Sequence, residues 1–312
     1  MDIKASFLSS IFGFCCFAQD NPKVNTYFKS YDEKVIASLY VLNTSNSFEA
    51  IVNSEGTRRR FEFVPNRRSQ IGASLSYKFI DVSYGLAPKF IEDNKDNKGS
   101  KFLTFDTRFY LKRWAQSILF INQTGFNIND GEIEIAFPKF RSTKIGGVTS
   151  YVCNDKFSFR TLANQRQWQT KSAGSFIPSL AFVYTNLDLN DSTGNTHSDI
   201  YTVSLAPSYF YNWVIDEHLL IASGISVGAG ITSIDRDVYP VYEFRGNLKV
   251  AYNSDSFFTF MRINTLNFIQ DDQAEIQLND NLTVLNFVIG YRFNPPKKVQ
   301  EVYQKVTKKI GL

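Results

Sequence analysis

The sequence predicts an all-β chain that closes into a single antiparallel transmembrane β-barrel of about 12 strands, with 10 or 14 as alternatives, followed by a short basic amphipathic helix. Three observations predict it. An export-type leader opens the chain, period-two alternation fills nearly all the rest, and many alternating segments reach ten residues or more, against the roughly five or six usual in soluble sheets. The 312 residues are 43% hydrophobic, 15% aromatic and 21% charged, enough for a sizeable core and too apolar for disorder. A mean hydropathy of -0.21 excludes a bundle of membrane helices. The net charge of +4 is too small to imply nucleic acid.

The leader runs Met1-Asp2-Ile3-Lys4, then apolar from Ala5 to Phe17, then Ala18-Gln19-Asp20. One lysine, an apolar stretch and a small residue before a polar start read as a signal peptide cleaved after Ala18, with a buried N-terminal helix as the alternative. Neither Cys15 nor Cys16 follows the small residue that lipoprotein processing requires. Cleavage leaves Cys153 alone, so the mature chain forms no internal disulfide. The resulting division is a signal peptide at 1–18, a periplasmic N-terminal segment at 19–33, the barrel at 34–294 and a basic tail at 295–312.

The strands follow from their faces. Segment 79–87 sets Ile80, Val82, Tyr84 and Leu86 against Asp81, Ser83 and Gly85. Segment 102–112 sets Leu103, Phe105, Phe109 and Leu111 against Asp106, Arg108 and Lys112. Segment 241–252 sets Tyr242, Phe244, Leu248 and Val250 against Glu243, Arg245 and Lys249, and 283–293 sets Leu285, Phe287, Ile289, Tyr291 and Phe293 against Asn286, Gly290 and Arg292. Similar segments fall near 34–42, 69–78, 116–126, 146–153, 157–168, 176–188, 200–211, 219–231 and 257–269. A two-sheet sandwich also alternates, but seldom with strands this long. Past the leader no apolar run reaches the ~18 residues of a membrane helix, whereas a spanning strand needs only about 9–11.

Short turns are expected near Phe79, Trp114, Asn154-Asp155-Lys156, Trp213 to Glu217 and Asn253-Ser254-Asp255, and longer polar links at 91–100, 189–198, 232–238 and 270–281. Counted from the two ends, the alternation does not close around Asn154-Asp155. An added strand inside 127–145, where Ile133, Ile135 and Phe137 alternate, is one repair.

Lys156-Phe-Ser-Phe-Arg160, running through Gln165, Gln167 and Gln169 to Lys171-Ser-Ala-Gly-Ser-Phe176, is distinctive. With Phe63-Val-Pro-Asn66 and the closing Gly290-Tyr-Arg-Phe293, it resembles a family of Bacteroidota outer-membrane proteins catalogued as a domain of unknown function. The resemblance implies a signal peptide, a barrel and an outer-membrane address, and no activity. The Lys-Ser-Ala-Gly-Ser run also has a structural reading, small residues where a strand bends or a plug packs closely.

The polar faces point Asp106, Arg108, Lys112, Arg160, Glu243, Arg245, Lys249 and Arg262 toward the lumen, where mixed signs suggest salt-bridge networks more than a wide pore. The tail carries Lys297, Lys298, Lys305, Lys308 and Lys309 against Glu301 alone, with Val299, Val302, Tyr303, Val306 and Ile310 on one helical side. It is read as a helix for an anionic leaflet or an envelope partner, or as a solvated tail. Gly290, Tyr291 and Phe293 look like the signal read by barrel-assembly machinery. Arg58-Arg59-Arg60 with Arg67 and Arg68 fits lipopolysaccharide phosphates, a pore constriction or a solvated strand end. His197 and His218, the only histidines, lie in polar links with no serine opposite, and with one mature cysteine they argue against an enzyme or a transition-metal centre. Glu92-Asp93 and Asp271-Asp272 lack calcium-loop spacing. The expectation is a cell outer-membrane barrel of structural or accessory type. It has no catalytic residue, cofactor or metal, and its contacts are lipid, the assembly machinery and an envelope partner through the tail. A small passive diffusion channel is the alternative and an outer-membrane hydrolase the third reading.

Overall fold

The structure, a computed structural model, describes residues 26–54, 57–65, 68–78, 80–88, 90–91, 101–129, 134–163, 166–189, 197–270 and 276–310. The expected signal peptide, Arg67, Glu92-Asp93, Gln165 and Asp271-Asp272 lie outside them. The first half runs β1 (Phe28–Ser30), β2 (Val35–Ser54), β3 (Thr57–Pro65), β4 (Arg68–Tyr77), β5 (Ile80–Leu86), β6 (Lys101–Leu111), β7 (Trp114–Asn129) and β8 (Glu134–Tyr151). Next come the short helix α1 (Phe159–Ala163), β9 (Gln167–Gln169), β10 (Ala173–Phe176), β11 (Ser179–Asp188), β12 (His197–Ala206) and β13 (Ser208–Val214). The chain ends with β14 (Leu219–Ile234), β15 (Asp237–Asn253), β16 (Phe257–Gln270), β17 (Ile276–Phe293) and helix α2 (Lys297–Ile310).

Antiparallel ladders close a ring of ten strands in the order β14-β12-β11-β8-β7-β3-β2-β17-β16-β15 and back to β14, with five further strands attached. That is ten where about twelve were expected. The expected strands at 79–87 and 102–112 form, but β5 pairs only with β4 and β6 only with β7. Among the described residues no ladder joins β5 to β6. Instead β3 bridges the gap, pairing β2 on one side and, through Glu62–Pro65, the end of β7 on the other. Two long strands are also divided at Pro178 and Pro207, which have no N–H to give to a ladder.

The alternation decides what faces out. On β15, Tyr242, Phe244, Leu248 and Val250 are 41–48% exposed, while Val241, Glu243, Lys249 and Ala251 between them are at most 2% exposed. Leu103, Phe105 and Phe109 on β6 and Leu285, Phe287, Ile289 and Tyr291 on β17 likewise face outward. A surface of exposed Leu, Ile, Phe and Tyr at this density is one that lipid covers. Inside, Gly290 has a role of close approach: a Cβ there would collide with the Phe258 ring, so glycine lets that ring lie against β17.

Both ends of the wall, Val35 and Phe293, meet at one rim, here the terminal rim. The turns at 112–113, 215–218 and 254–256 share it, as does Lys78 at the end of β4. The link expected at 232–238 is instead a two-residue turn, Asp235-Arg236, with φ of 50° and 91°. Both central residues in the left-handed region give the primed turn that suits the twist of a hairpin.

The region around 127–175 departs from expectation in two ways. Among the described residues no strand is added inside 127–145; β7 and β8 are longer, reaching Asn129 and starting at Glu134. And 157–168 is not a wall strand. Residues 152–163 and 166–172 leave the terminal rim, enter the lumen as α1 and β9, and return to the same rim, which is why a count that includes them as a crossing strand fails to close. Phe157, Leu162 and Trp168 pack there in a core with Tyr31, Leu220, Ala251, Phe258 and Val288.

Because Phe244 faces lipid between the aromatic ends of β15, replacing it by arginine should destabilise the barrel by about 2–4 kcal/mol if it lies near the bilayer midplane. Reversible urea unfolding in lipid vesicles measures this; an unchanged midpoint would mean that this face is not in lipid.

Candidate functional site

The plug is assembled from two distant pieces of chain. β1 pairs antiparallel with β9, Phe28 opposite Gln169 and Ser30 opposite Gln167. Gln169 is fully buried, and its amide group organises the pair. Its Nε2 shares its hydrogens among the carbonyls of Lys156 (2.7 Å), Lys171 (2.9 Å) and Tyr27 (3.1 Å), and its Oε1 accepts from Ser158 N and Asn212 Nδ2. Ser158 caps α1: its Oγ accepts from Thr161 N at 3.2 Å, the usual N-cap bond, and donates to Gln167 Oε1 at 2.7 Å.

The other end of α1 is held by the wall. The last carbonyls of a helix have no acceptor role inside it. Here Lys249 Nζ donates to Thr161 O at 2.6 Å and Arg262 Nη1 to Leu162 O at 3.3 Å. The two cations are register partners on β15 and β16 and sit on the Phe260 ring, Lys249 at 4.2 Å from its centroid. A cation at a helix C-terminus is favourable both as a hydrogen-bond donor and against the peptide dipoles. The wall thus supplies the C-cap of a helix that belongs to the plug.

Further ties run to the rim. Trp168 Nε1 donates to Glu217 O at 3.2 Å, and Lys29 Nζ meets Asp255 Oδ1 at 2.5 Å. The hydrogen bond from Lys29 holds the Asp255 carboxyl below its ordinary range and, in return, raises the Lys29 ammonium. Arg292, buried at 2% exposure, stacks between Tyr31 (4.0 Å) and Phe258 (4.6 Å) and donates to Ser254 O.

The eight expected lumen residues divide accordingly. Lys249 and Arg262 face the plug. Glu243 is fully buried, accepts from Ser204 Oγ and pairs with Arg245. Asp106 and Arg108 pair at 3.7 Å on β6 and keep 51% and 32% of their side-chain surface, beside the unpaired edge of that strand. Lys112 is not in the lumen but exposed in the β6–β7 turn with φ 53°, where the tight turn takes it off the strand. Arg160 belongs to the plug, not the wall, over the Tyr110 ring at 5.1 Å and 3.8 Å from Asp32.

In the tail, Lys297, Lys298 and Lys305 are exposed on α2, and the side chains of Lys308 and Lys309 lie outside the description. Tyr303 rests edge-on against Tyr77 at 5.4 Å with Lys78 over its ring at 5.3 Å, while Val302 stays 58% exposed. Of the expected assembly signal, Gly290 faces in, Tyr291 faces out and Phe293 pairs with Val35. Arg58, Arg59 and Arg60 are exposed on the extension of β3 away from the terminal rim, with Arg60 Nε paired to Glu49 Oε1 at 2.9 Å. His197 starts β12 and His218 sits in the turn before β14, at opposite ends of the barrel. Among the described residues no group of three or more His, Cys, Asp or Glu is placed to hold a metal.

Residues 19–293 match the family described as Domain of unknown function (DUF4421). The chain is a DUF4421 protein. No curated protein matches it. Among solved structures, the DUF4421 chain is similar to the outer-membrane protease OmpT of Escherichia coli at 7% identity and TM-score 0.39, covering 85% of this chain and 98% of that one. It is also similar to an outer-membrane channel of Pseudomonas putida F1 at 11% identity and TM-score 0.32, covering 88% and 100%. The toluene transporter TodX of P. putida follows at 8% and 0.20, covering 84% and 90%.

Sequence reasoning missed Gln169, Ser158, Asn212 and Trp168 as the framework of the plug. The one signal present was Ser158 itself, a favoured N-cap residue type just before Phe159, but Phe157 and Phe159 alternate like a strand.

Replacing Lys249 and Arg262 together by methionine should free the C-terminal end of α1, at a cost of about 1.5–3 kcal/mol for each hydrogen bond from a charged donor. Hydrogen exchange at 158–163 should speed up at least roughly tenfold while exchange in β15 and β16 stays slow. Equal protection in the double variant would show that the wall cations do not hold the plug.

Proposed function

We propose that the DUF4421 barrel is an integral outer-membrane protein of structural or accessory type, exported through its leader, with the terminal rim in the periplasm and its interior sealed by the plug. The observation that carries the reading is the cap on α1 by Lys249 and Arg262. It commits two lumen cations to fixed carbonyls, leaving them unavailable to a passing solute. The turns at 112–113, 215–218 and 254–256 place short connections on the terminal rim, as is usual for the periplasmic side of such barrels, although the Asp235-Arg236 turn at the other rim is short as well. A small passive channel is the second reading, and the partly exposed Asp106 and Arg108 favour it. Planar-bilayer recording separates the two. The intact protein should give no conductance steps, and replacing 155–170 by a short Gly-Ser linker should produce them. Steps from the intact protein would overturn the sealed reading.

The tail supplies the accessory part of the proposal. α2 carries exposed lysines and an exposed Val302 outside the barrel, held to it through Tyr303. It is the element on which an envelope partner or the inner leaflet would dock. Deleting 295–312 should leave the folded barrel in the membrane and remove any protein that co-purifies with the full chain in mild detergent; an unchanged set of co-purifying proteins would refute docking through the tail.

A further inference from the structure

The half of the lumen away from the plug is built in layers. Phe48 on β2, Phe126 on β7 and Phe140 on β8 form an aromatic layer, with ring centroids 4.6 Å apart for Phe126 and Phe140 and 6.3 Å for Phe48 and Phe126. One inward position deeper on the same three strands stand Asn46, Gln123 and Ser142. On β7 the step crosses a bulge at Gly125, whose φ is 93°. Gln123 lies opposite Ser142 in the β7–β8 ladder. All three are at most 1% exposed. Yet Asn46 Nδ2, both amide atoms of Gln123 and Ser142 Oγ have no hydrogen-bond partner among the described residues.

Buried polar groups are normally satisfied, and a cluster of four orphaned atoms on neighbouring residues needs a reason. Among the described side chains the surrounding charge is balanced. Lys144, next inward on β8, donates to Asn46 Oδ1 at 2.6 Å and to Asp280 Oδ1 at 2.7 Å, so its ammonium is matched by one carboxylate. On the outer side of the aromatic layer lies an apolar pocket walled by Phe48, Phe63, Phe140, Leu187, Leu189 and Leu278. Phe48 and Phe140 therefore stand between an apolar pocket and an unsatisfied polar floor.

We propose that this end of the barrel binds a small uncharged amphiphile, its aromatic or aliphatic body in the Phe-Leu pocket and a hydroxyl or amide end reaching Gln123, Asn46 and Ser142 past the Phe48 and Phe140 rings. The polar end must both donate and accept, because Gln123 offers one orphan of each kind and Asn46 a further donor. It must be neutral, because Lys144 and Asp280 already cancel and an added charge would be buried without a partner. The apolar wall sets the body, since a pocket of this composition gains nothing from a polar one. The site does not depend on the accessory reading and stands whether or not the plug seals the lumen.

The test uses the full-length protein in lipid nanodiscs, with empty discs as the blank, and three probes of one shape: 1-naphthol, naphthalene and 1-naphthoate. Saturable binding is followed by ligand fluorescence. 1-Naphthol should bind best, naphthalene about tenfold more weakly for want of the polar end, and 1-naphthoate not at all. Gln123→Leu should bring 1-naphthol down to the affinity of naphthalene and leave naphthalene unchanged. Ser142→Ala, a smaller change that keeps the wall intact, should lower 1-naphthol binding in the same direction. Ser198→Trp, at the pocket wall, should abolish both. The proposal is overturned if no probe saturates, if 1-naphthoate binds as well as 1-naphthol, or if folded Gln123→Leu and Ser142→Ala bind 1-naphthol as the native protein does.

Discussion

The ladder between β2 and β17, from Val35 opposite Phe293 to Val52 opposite Ile276, is the contact on which the rest depends. A sheet in hydrocarbon must leave no edge, because an unpaired N–H or C=O there has no water to turn to. Joining the first and last long strands turns an open sheet into a wall. It also creates the inside, and with it the problem of what to do with residues that alternation sends inward. Glu243, Lys249 and Arg292 are almost wholly removed from solvent, a condition tolerable for ionised groups only when each finds a partner.

The plug answers part of that problem with neutral groups. Lys249 and Arg262 find backbone carbonyls of α1 and Arg292 the Tyr31 ring, while on the wall Arg292 also finds Phe258 and Ser254 O and Glu243 finds Ser204 and Arg245. Carbonyl oxygens at the end of α1 are as much in need of donors as the cations are of acceptors, so each side satisfies the other. Carbonyl caps stand here beside ion pairs of the kind expected from sequence, such as Asp106 with Arg108 and Arg160 with Asp32. Lys144 with Asp280 and Arg245 with Glu243 follow that pattern among the described residues.

How much was legible follows from what carries a sequence signal. Which side of β6, β15 and β17 meets lipid was readable because Leu, Phe and Tyr recur at every second position, and the terminal-rim turns were readable from their polar breaks. The number of ring strands was not, because the missing β5–β6 ladder is a matter of pairing and leaves no mark on either strand's own residues. Lys249 was readable as inward-facing, but its partner, Thr161 O, is backbone and has no side-chain signature. The plug was misread as a strand because Phe157 and Phe159 alternate. What betrayed it was topological: a crossing strand at 157–168 puts Asn154-Asp155 on the wrong side.

The pairing of β1 with β9 bears on the order in which the chain can become a barrel. Bringing distant residues together costs more entropy the longer the intervening chain. Phe28 waits for Gln169, while Val35 waits for Phe293. The loop closed by the β1–β9 ladder is the shorter of the two, and that ladder itself takes no residue from β10 onward; the ties from Asn212, Lys249 and Arg262 come later in the chain. The plug's strand pair can therefore form while the wall is still an open sheet, and the seam between β2 and β17 is drawn shut around an object already in place. Entry through a finished rim is never required, and a chain ending before β9 would have neither its plug nor the means to close.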